Sequence, residues 1–340
     1  MPSASNPAPG LPLVDGKGRV AKKLRISVTD RCNFGCLFCM PDKSKIKWLP
    51  IEDQLSFPEI EHVARVLATM GVENIRVTGG EPLLRANLEE LVRGLVATSG
   101  INSVDMTSNG WFLKQKARAL KSAGLRGVTV SLHSLKPDRF AKISGINALP
   151  RVLEGIEEAI RVGLDPVKIN SVAIRGYNED EIYDLFDYAH SRALSIRFIE
   201  FMPLDGLGIW NPDAVITGKE IVDIVGRRHQ LQAMGRTMGK TASLWSVNDG
   251  PGDLGLITSM SEPFCDDCDR IRLTSDGKLL SCLFDTEYYD LKPYIRDGGS
   301  DAKLESFIRE VVKKKPDGVG YMTSIRQGWA KPRNMNAIGG

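Results

Sequence analysis

Six cysteines are the residues of this 340-residue chain best suited to chemistry, and they fall into two sets of three. Cys32, Cys36 and Cys39 are spaced C-x3-C-x2-C in one short segment. Cys265, Cys268 and Cys282 follow as C-x2-C-x13-C. Three thiolates on one loop can take three corners of a [4Fe–4S] cubane and leave one iron open to bind and reduce a substrate. The same spacing also suits a structural zinc loop closed by a remote fourth ligand. Zinc sites more often pair C-x2-C with a second C-x2-C or with histidines, and only four histidines are present, which favours a redox cluster. For the second set, zinc is the default reading of an isolated C-x2-C. Beside a first cluster site, the odd third thiolate favours a second cluster, whose open iron would hold a nitrogen or oxygen of the substrate.

The elements that must carry these residues are legible in the hydrophobic pattern. Val- and Ile-rich runs at Leu24–Val28, Asn74–Thr78, Val104–Thr107, Gly127–Leu132, Val167–Ala173 and Ser195–Phe201 read as parallel strands covered on both faces. Amphipathic helices are expected between them at Phe57–Thr69, Leu88–Ala97, Lys114–Ala123, Leu149–Val162 and Glu179–Ser191, the first capped by Ser56 and followed by Gly71. Six such units predict an α/β fold, an incomplete (β/α)6 TIM-like barrel. Residues 203–215, rich in Pro, Gly and Asp, mark a boundary. Beyond it, short strands at Ala242–Val247, Leu254–Ile257, Ile271–Thr274 and Leu279–Leu283 and a helix near Ala302–Lys314 predict an α+β extension carrying the second cluster, with Asp276-Gly277 as a hairpin turn. The expected division is a flexible leader over 1–20, the barrel over 21–202, and a cluster and substrate region over 203–340.

The first cysteine loop follows the first strand, where barrel enzymes place their chemistry. With the preceding LRISVTDR and the later Gly79-Gly80-Glu81-Pro82, it resembles the radical S-adenosylmethionine superfamily. That resemblance implies an open iron chelating the methionine amino and carboxylate groups of S-adenosylmethionine, with the glycines of the GGEP turn allowing close backbone approach. It points to Phe38, Gly80, Ser131 and Met202 as cofactor contacts. Within the superfamily, the stretches VKINSV, RFIEFMPL and PFCDDCDRIRLTSDGKLLSCLF resemble the GTP 3′,8-cyclases of molybdenum-cofactor biosynthesis. The implied reaction cleaves S-adenosylmethionine reductively, abstracts the C3′ hydrogen of GTP and closes C3′ onto guanine C8. The resemblance implies two [4Fe–4S] clusters, and it nominates Arg25, Arg76, Thr107, Lys168, Arg270, Ile271 and Arg272, with Arg197, as GTP contacts. Strand alternation turns Arg270 and Arg272 to one side and Ile271, contributing mainly backbone, to the other. A terminal Gly339-Gly340 pair implies a tail that reaches into the active site. The implied partners are GTP, a reductant protein, a downstream cyclic pyranopterin monophosphate synthase and a second copy of the chain. Asn74 stands where many relatives carry lysine, and His133 where many carry aspartate; no role is assigned to His133.

Two other classes share part of the pattern. A peptide-modifying radical enzyme would usually bring more C-terminal cysteines, and a zinc-stabilised binding protein would use the same thiols without redox chemistry. The net charge of +3 gives no footprint of a nucleic-acid binder. No run approaches the roughly 20 apolar residues of a membrane span, and the N-terminal segment lacks a secretory h-region. A cytoplasmic protein with reduced thiols is expected.

Overall fold

The computed structural model describes residues 10–40, 42–204, 208–247, 250–296, 299–318 and 335–339. Six strands run in chain order: β1 (Lys23–Ser27), β2 (Asn74–Thr78), β3 (Ser103–Ser108), β4 (Gly127–Ser131), β5 (Val167–Ala173) and β6 (Ser195–Glu200). Each pairs in parallel with the next. The intervening helices are α1 (Phe57–Thr69), α2 (Leu88–Ala97), α3 (Leu113–Ser122), α4 (Pro137–Ser144), α5 (Leu149–Arg161) and α6 (Ile182–His190). Local chemistry sets their ends. Ser56 and Glu59 form a reciprocal capping box at the start of α1, satisfying two orphan amide donors.

The C-terminal region does not build a sheet of its own. Its elements are α7 (Gly218–Gly226), β7 (Leu231–Gly235), β8 (Ser243–Val247), β9 (Asp253–Ile257), β10 (Arg270–Leu273), β11 (Lys278–Leu280), β12 (Tyr289–Asp290), α8 (Lys292–Ile295) and α9 (Asp301–Lys313). Strand β9 joins β6 in parallel and β10 joins β1 in parallel. The sheet therefore reads β12-β11-β10-β1-β2-β3-β4-β5-β6-β9-β8-β7, twelve strands that do not close on themselves. The expected turn at Asp276-Gly277 joins the antiparallel pair β10 and β11, with Gly277 at φ +79°.

The strands alternate. Leu24, Ile26, Ile75, Val77, Val104, Met106, Val128, Val130, Ile196 and Phe198 are buried in one core between the sheet and the outer helices. Residues between them turn inward and are charged or polar at many positions. A closed barrel fills its interior with apolar layers; here the interior is the site. The leader also differs from expectation. Residues 1–9 lie outside the described residues, but Leu13 is fully buried, Val14 bridges Val20, and the Gly10 amide donates to Thr69 O at 3.0 Å. The buried pair Asp15–Arg19 (2.5 Å) clamps this segment, and Arg19 donates onward to Cys265 O at 2.8 Å. None of the described helices is long and apolar enough to cross a membrane.

Candidate radical and substrate site

The first cysteine loop leaves β1 and is held from below by α4, a short helix absent from the sequence expectation. The amides of Gly35 and Leu37 donate to Ser144 O and Ile143 O at the end of α4 (2.9 and 3.0 Å). Gly145 then turns away at φ +72°, and a Cβ there would stand 2.7 Å from Gly35 O, so the two segments can approach this closely only through glycine. Phe34 anchors the loop by edge contacts to Trp111 and Phe140, each at 6.1 Å. The Cys39 and Met40 amides both turn back to Cys36 O (2.9 and 2.8 Å).

All six cysteines are free and partly buried. Burial, then Glu81, pushes the Cys32 thiol up to about 11; burial, then Cys32, pushes Cys39 up to about 12; burial, then Cys39 and Cys32, holds Cys36 well above its usual range. Three thiolates can share this loop only beside strong positive charge, which iron ions provide. Three free cysteines on one loop, each able to take a different iron, form a donor set that suits a cubane.

The GGEP turn after β2 packs on the chain leading into this loop. Gly80 N donates to Thr29 O (2.7 Å) and Glu81 N to Arg31 O (2.8 Å). Burial raises the Glu81 carboxyl to about 7, against three donors: Asn109 N (2.7 Å), Ser108 Oγ (2.8 Å) and Leu83 N (3.1 Å). Phe38 lies on the cysteine loop, Gly80 after β2, Ser131 at the end of β4 and Met202 just after β6, so all four nominated cofactor contacts stand at the carboxyl ends of parallel strands. Of these, only Met202 also lines the large cavity below. His133 has a structural partner: its Nδ1 accepts the Val172 amide at 3.1 Å while its ring meets Phe38 edge-on at 4.9 Å. Burial lowers its pKa to about 4, which keeps the imidazole neutral.

The cavity, of about 310 Å³, is lined by Cys265, Cys268 and Cys282 together with Arg25, Arg76, Thr107, Lys168, Arg197, Arg270 and Arg272. Sheet register explains the concentration of charge. Arg272, Arg25, Arg76 and Asp105 are successive partners across β10, β1, β2 and β3. Burial and the neighbouring Arg272, Arg76 and Arg270 hold the Arg25 pKa well below its usual range. Burial, then Arg197 and Arg76, lowers Lys168 to about 8. Arg197 keeps a buried Nε with no hydrogen-bond partner among the described residues, and Gly255 opposite leaves room for its stem, since a Cβ would stand 2.8 Å from Arg197 Cγ. Such a cluster is costly without an anion, and a polyphosphate with several acceptor oxygens is its natural complement.

The second cysteine set opens on the same cavity. Burial would raise Cys268, but Arg270 and Lys315 prevail and lower it to about 7. Lys315 Nζ braces this loop through Cys268 O (2.7 Å) and Arg270 O (3.0 Å). A Cβ on Gly318 would stand 2.5 Å from Cys265 Sγ, so a glycine cradles that sulfur. Ile271 is fully buried in the core, and its side chain does not reach the cavity, as strand alternation required. The tail enters as well. Arg272 donates to Ile338 O (3.1 Å) and to Gly339 O, and Asn336 Nδ2 donates to Asp30 O (3.0 Å). Gly340 lies outside the described residues.

Sequence reasoning missed Lys23, Asp105, Arg126 and Lys240, which also line the cavity. Lys23 had a signal, because it stands two residues before Arg25 on one strand and shares its face. Lys240 had none, because it reaches the cavity from a loop between two edge strands.

Residues 26–189 match the Radical SAM superfamily and residues 194–321 match Molybdenum Cofactor Synthesis C. A GTP 3′,8-cyclase of Pelotomaculum thermopropionicum is 41% identical over 319 residues, covering 93% of this chain and 97% of that protein. A GTP 3′,8-cyclase of Mycolicibacterium smegmatis is 39% identical over 346 residues, covering 99% and 95%. Among solved structures, Streptococcus suis SuiB superposes with a TM-score of 0.61 at 14% identity over 90% of this chain and 69% of its own, a likeness of fold alone. By its cysteine sets, its open parallel sheet and these relatives, the chain belongs to the GTP 3′,8-cyclase family of radical S-adenosylmethionine enzymes.

Proposed function

We infer that this protein converts GTP to (8S)-3′,8-cyclo-7,8-dihydroguanosine 5′-triphosphate, an early step of molybdenum-cofactor biosynthesis. The observation that carries the reading is that the second cysteine set and the arginine row Arg272–Arg25–Arg76 face one cavity. One wall offers metal ligands for a purine; the other offers cations for a triphosphate.

Two [4Fe–4S] clusters and S-adenosylmethionine, when bound, supply electron transfer, hydrogen abstraction and an anchoring iron. The chain's own residues position and exclude. Cys32, Cys36 and Cys39 would hold one cluster at the carboxyl ends of the strands, with Phe38, Gly80, Ser131 and Met202 around the cofactor. Cys265, Cys268 and Cys282 would hold the other at the cavity wall. Arg25, Arg76, Lys168, Arg197 and Arg270 neutralise the phosphates and fix the ribose between the clusters, with Thr107 and the Ile271 backbone as neutral contacts. Arg272 engages the tail, which narrows the cavity on the cofactor side and helps to exclude water. A low-potential reductant protein, a cyclic pyranopterin monophosphate synthase downstream and a second copy of the chain form part of the same proposal. So does a reducing cytoplasm, in which six thiols remain free for iron.

The test is 5′-deoxyadenosine formation by the anaerobically reconstituted protein, with and without GTP deuterated at C3′. Strong stimulation by GTP with deuterium transfer supports the reading. Cys32→Ser should abolish cleavage, and Cys265→Ser should spare cleavage while disrupting cyclisation. Intact cyclisation in Cys265→Ser would refute the role of the second set.

A further inference from the structure

The free edges of the sheet are β12 and β7, and the loop after β7 reaches across the opening to the segment that leads into β10. Residues 236–242 connect β7 to β8 and dock on the far side of the seam. Arg236 Nη1 pairs with both oxygens of Asp267 (2.9 and 2.7 Å), and Gly239 N donates to Asp267 Oδ2 (3.0 Å). Gly239 O accepts from Lys23 Nζ (2.6 Å), which also pairs with Asp269 (2.6 Å). Gly239 is buried at φ +73°, a left-handed conformation that favours glycine where the loop docks. This docking delivers Lys240 to the cavity, where the Gly239-Lys240-Thr241 segment forms part of the lining.

Lys240 is exposed at the cavity mouth, and its ammonium has no hydrogen-bond or ion-pair partner among the described residues. Partial burial and the nearby Lys23, Arg126 and Arg197 disfavour its charged form, and Asp269 offsets part of this. Those neighbours locate it at the amino ends of the strands: Lys23 opens β1 and Arg126 precedes β4. Asn74 opens β2 beside Lys23 in register. It is neutral, and its side-chain oxygen is occupied by Ser103 Oγ at 2.8 Å. No cation therefore comes from β2 at this rim.

We propose that Lys240 is the terminal-phosphate ligand of the nucleotide, supplied by the seam loop in place of the cation absent at Asn74, and that it selects triphosphate over shorter chains. This rests on the GTP reading above. The reacting ribose belongs near the carboxyl ends of the strands, beside the first cysteine set. A triphosphate extending from it past Arg25 and Arg76 reaches the amino-end rim, where its last phosphate meets Lys240. The α-phosphate stays with the strand arginines, out of reach of the loop.

The experiment is equilibrium binding of GTP, GDP and GMP to the reconstituted enzyme, comparing wild type, Lys240→Gln, Lys240→Arg and the double variant Lys240→Gln/Asn74→Lys. Iron content and circular dichroism check that each variant is intact. Loss of one charge-assisted phosphate contact predicts about tenfold weaker GTP binding in Lys240→Gln. GMP affinity should stay within about twofold, Lys240→Arg should retain most of the GTP affinity, and Asn74→Lys should restore it. Unchanged GTP affinity, or equal losses for GTP and GMP, overturns the proposal alone. Wild-type enzyme that fails to bind GTP overturns the cyclase reading and this proposal with it.

Discussion

Replacing Gly80 by alanine tests how the GGEP turn is joined to the first cysteine loop. A Cβ at Gly80 would stand 2.6 Å from the Arg31 carbonyl carbon and 2.8 Å from Asp30 O, with Arg31 O closer still. Carbon atoms settle at about 3.5 Å, so the contact is short by roughly 1 Å. The obstacle is backbone on both sides, and no rotamer change relieves it. It also lies in the residue before Cys32, whose position sets the cluster. Overpacking of this kind costs about 1–3 kcal/mol, and the turn and loop must part by most of 1 Å to relieve it. A displacement of that size at a reacting centre can cost about 100-fold. The assay is equilibrium binding of S-adenosylmethionine to the reconstituted protein, alongside iron content and 5′-deoxyadenosine yield. Gly226→Ala is the control, since its Cβ would meet only Leu231 Cδ1, at 4.0 Å. We expect Gly80→Ala to lose at least tenfold in cofactor affinity and more in turnover, and Gly226→Ala to match wild type. Cofactor affinity within twofold of wild type in Gly80→Ala would refute the argument that this approach requires glycine.

Two further outcomes follow from buried charge. Asp15→Ala removes the acceptor of the Arg19 guanidinium (2.5 Å) and of the Arg19 and Lys17 amides (3.0 and 2.8 Å); breaking a buried pair from one side costs about 3–5 kcal/mol, and Arg19 also braces Cys265 O. The urea midpoint should fall accordingly and the second iron site should load less fully; a loss below about 1 kcal/mol would sink this account. His133 is depressed from 6.5 to about 4 by burial, which corresponds to about 3 kcal/mol. Above pH 6.5 folded and unfolded chains both hold it neutral, whereas between pH 6.5 and 4 only the unfolded chain takes up the proton, so stability is lost as the pH is lowered through that window. His133→Gln, which keeps an acceptor for the Val172 amide, should flatten that fall in denaturant midpoints between pH 7 and 4.5. Parallel curves for variant and wild type would show that His133 does not contribute.

The helix and strand positions of the first two hundred residues were legible because local signals act within a few residues. Ser56 and Glu59 cap α1 by reaching only three positions, and strands β2 and β5 fall at the expected bounds, Asn74–Thr78 and Val167–Ala173. The cysteine spacings, the GGEP turn and the terminal glycine were equally local. Helix α4 escaped notice because eight residues carry too short a pattern, although its last carbonyls hold the cysteine loop. The strands were read as covered on both faces; the sheet gives one face to the core and the other to a cavity, where the nominated Arg25, Arg76, Lys168 and Arg197 take the inward positions.

The sequence by itself determined the two cysteine sets, the glycine turn after the second strand and the run of β/α units that carries them, because these depend on residue type and short spacing. Tertiary structure alone decided which charges share a cavity. Parallel pairing of β10 with β1 sets Arg272 beside Arg25, nearly 250 positions away in the chain. The loop across the seam delivers Lys240 to a rim otherwise built from β1 and the approach to β4. Neither contact has a local signature, since each depends on the closing of long loops and on the register of strands distant in sequence.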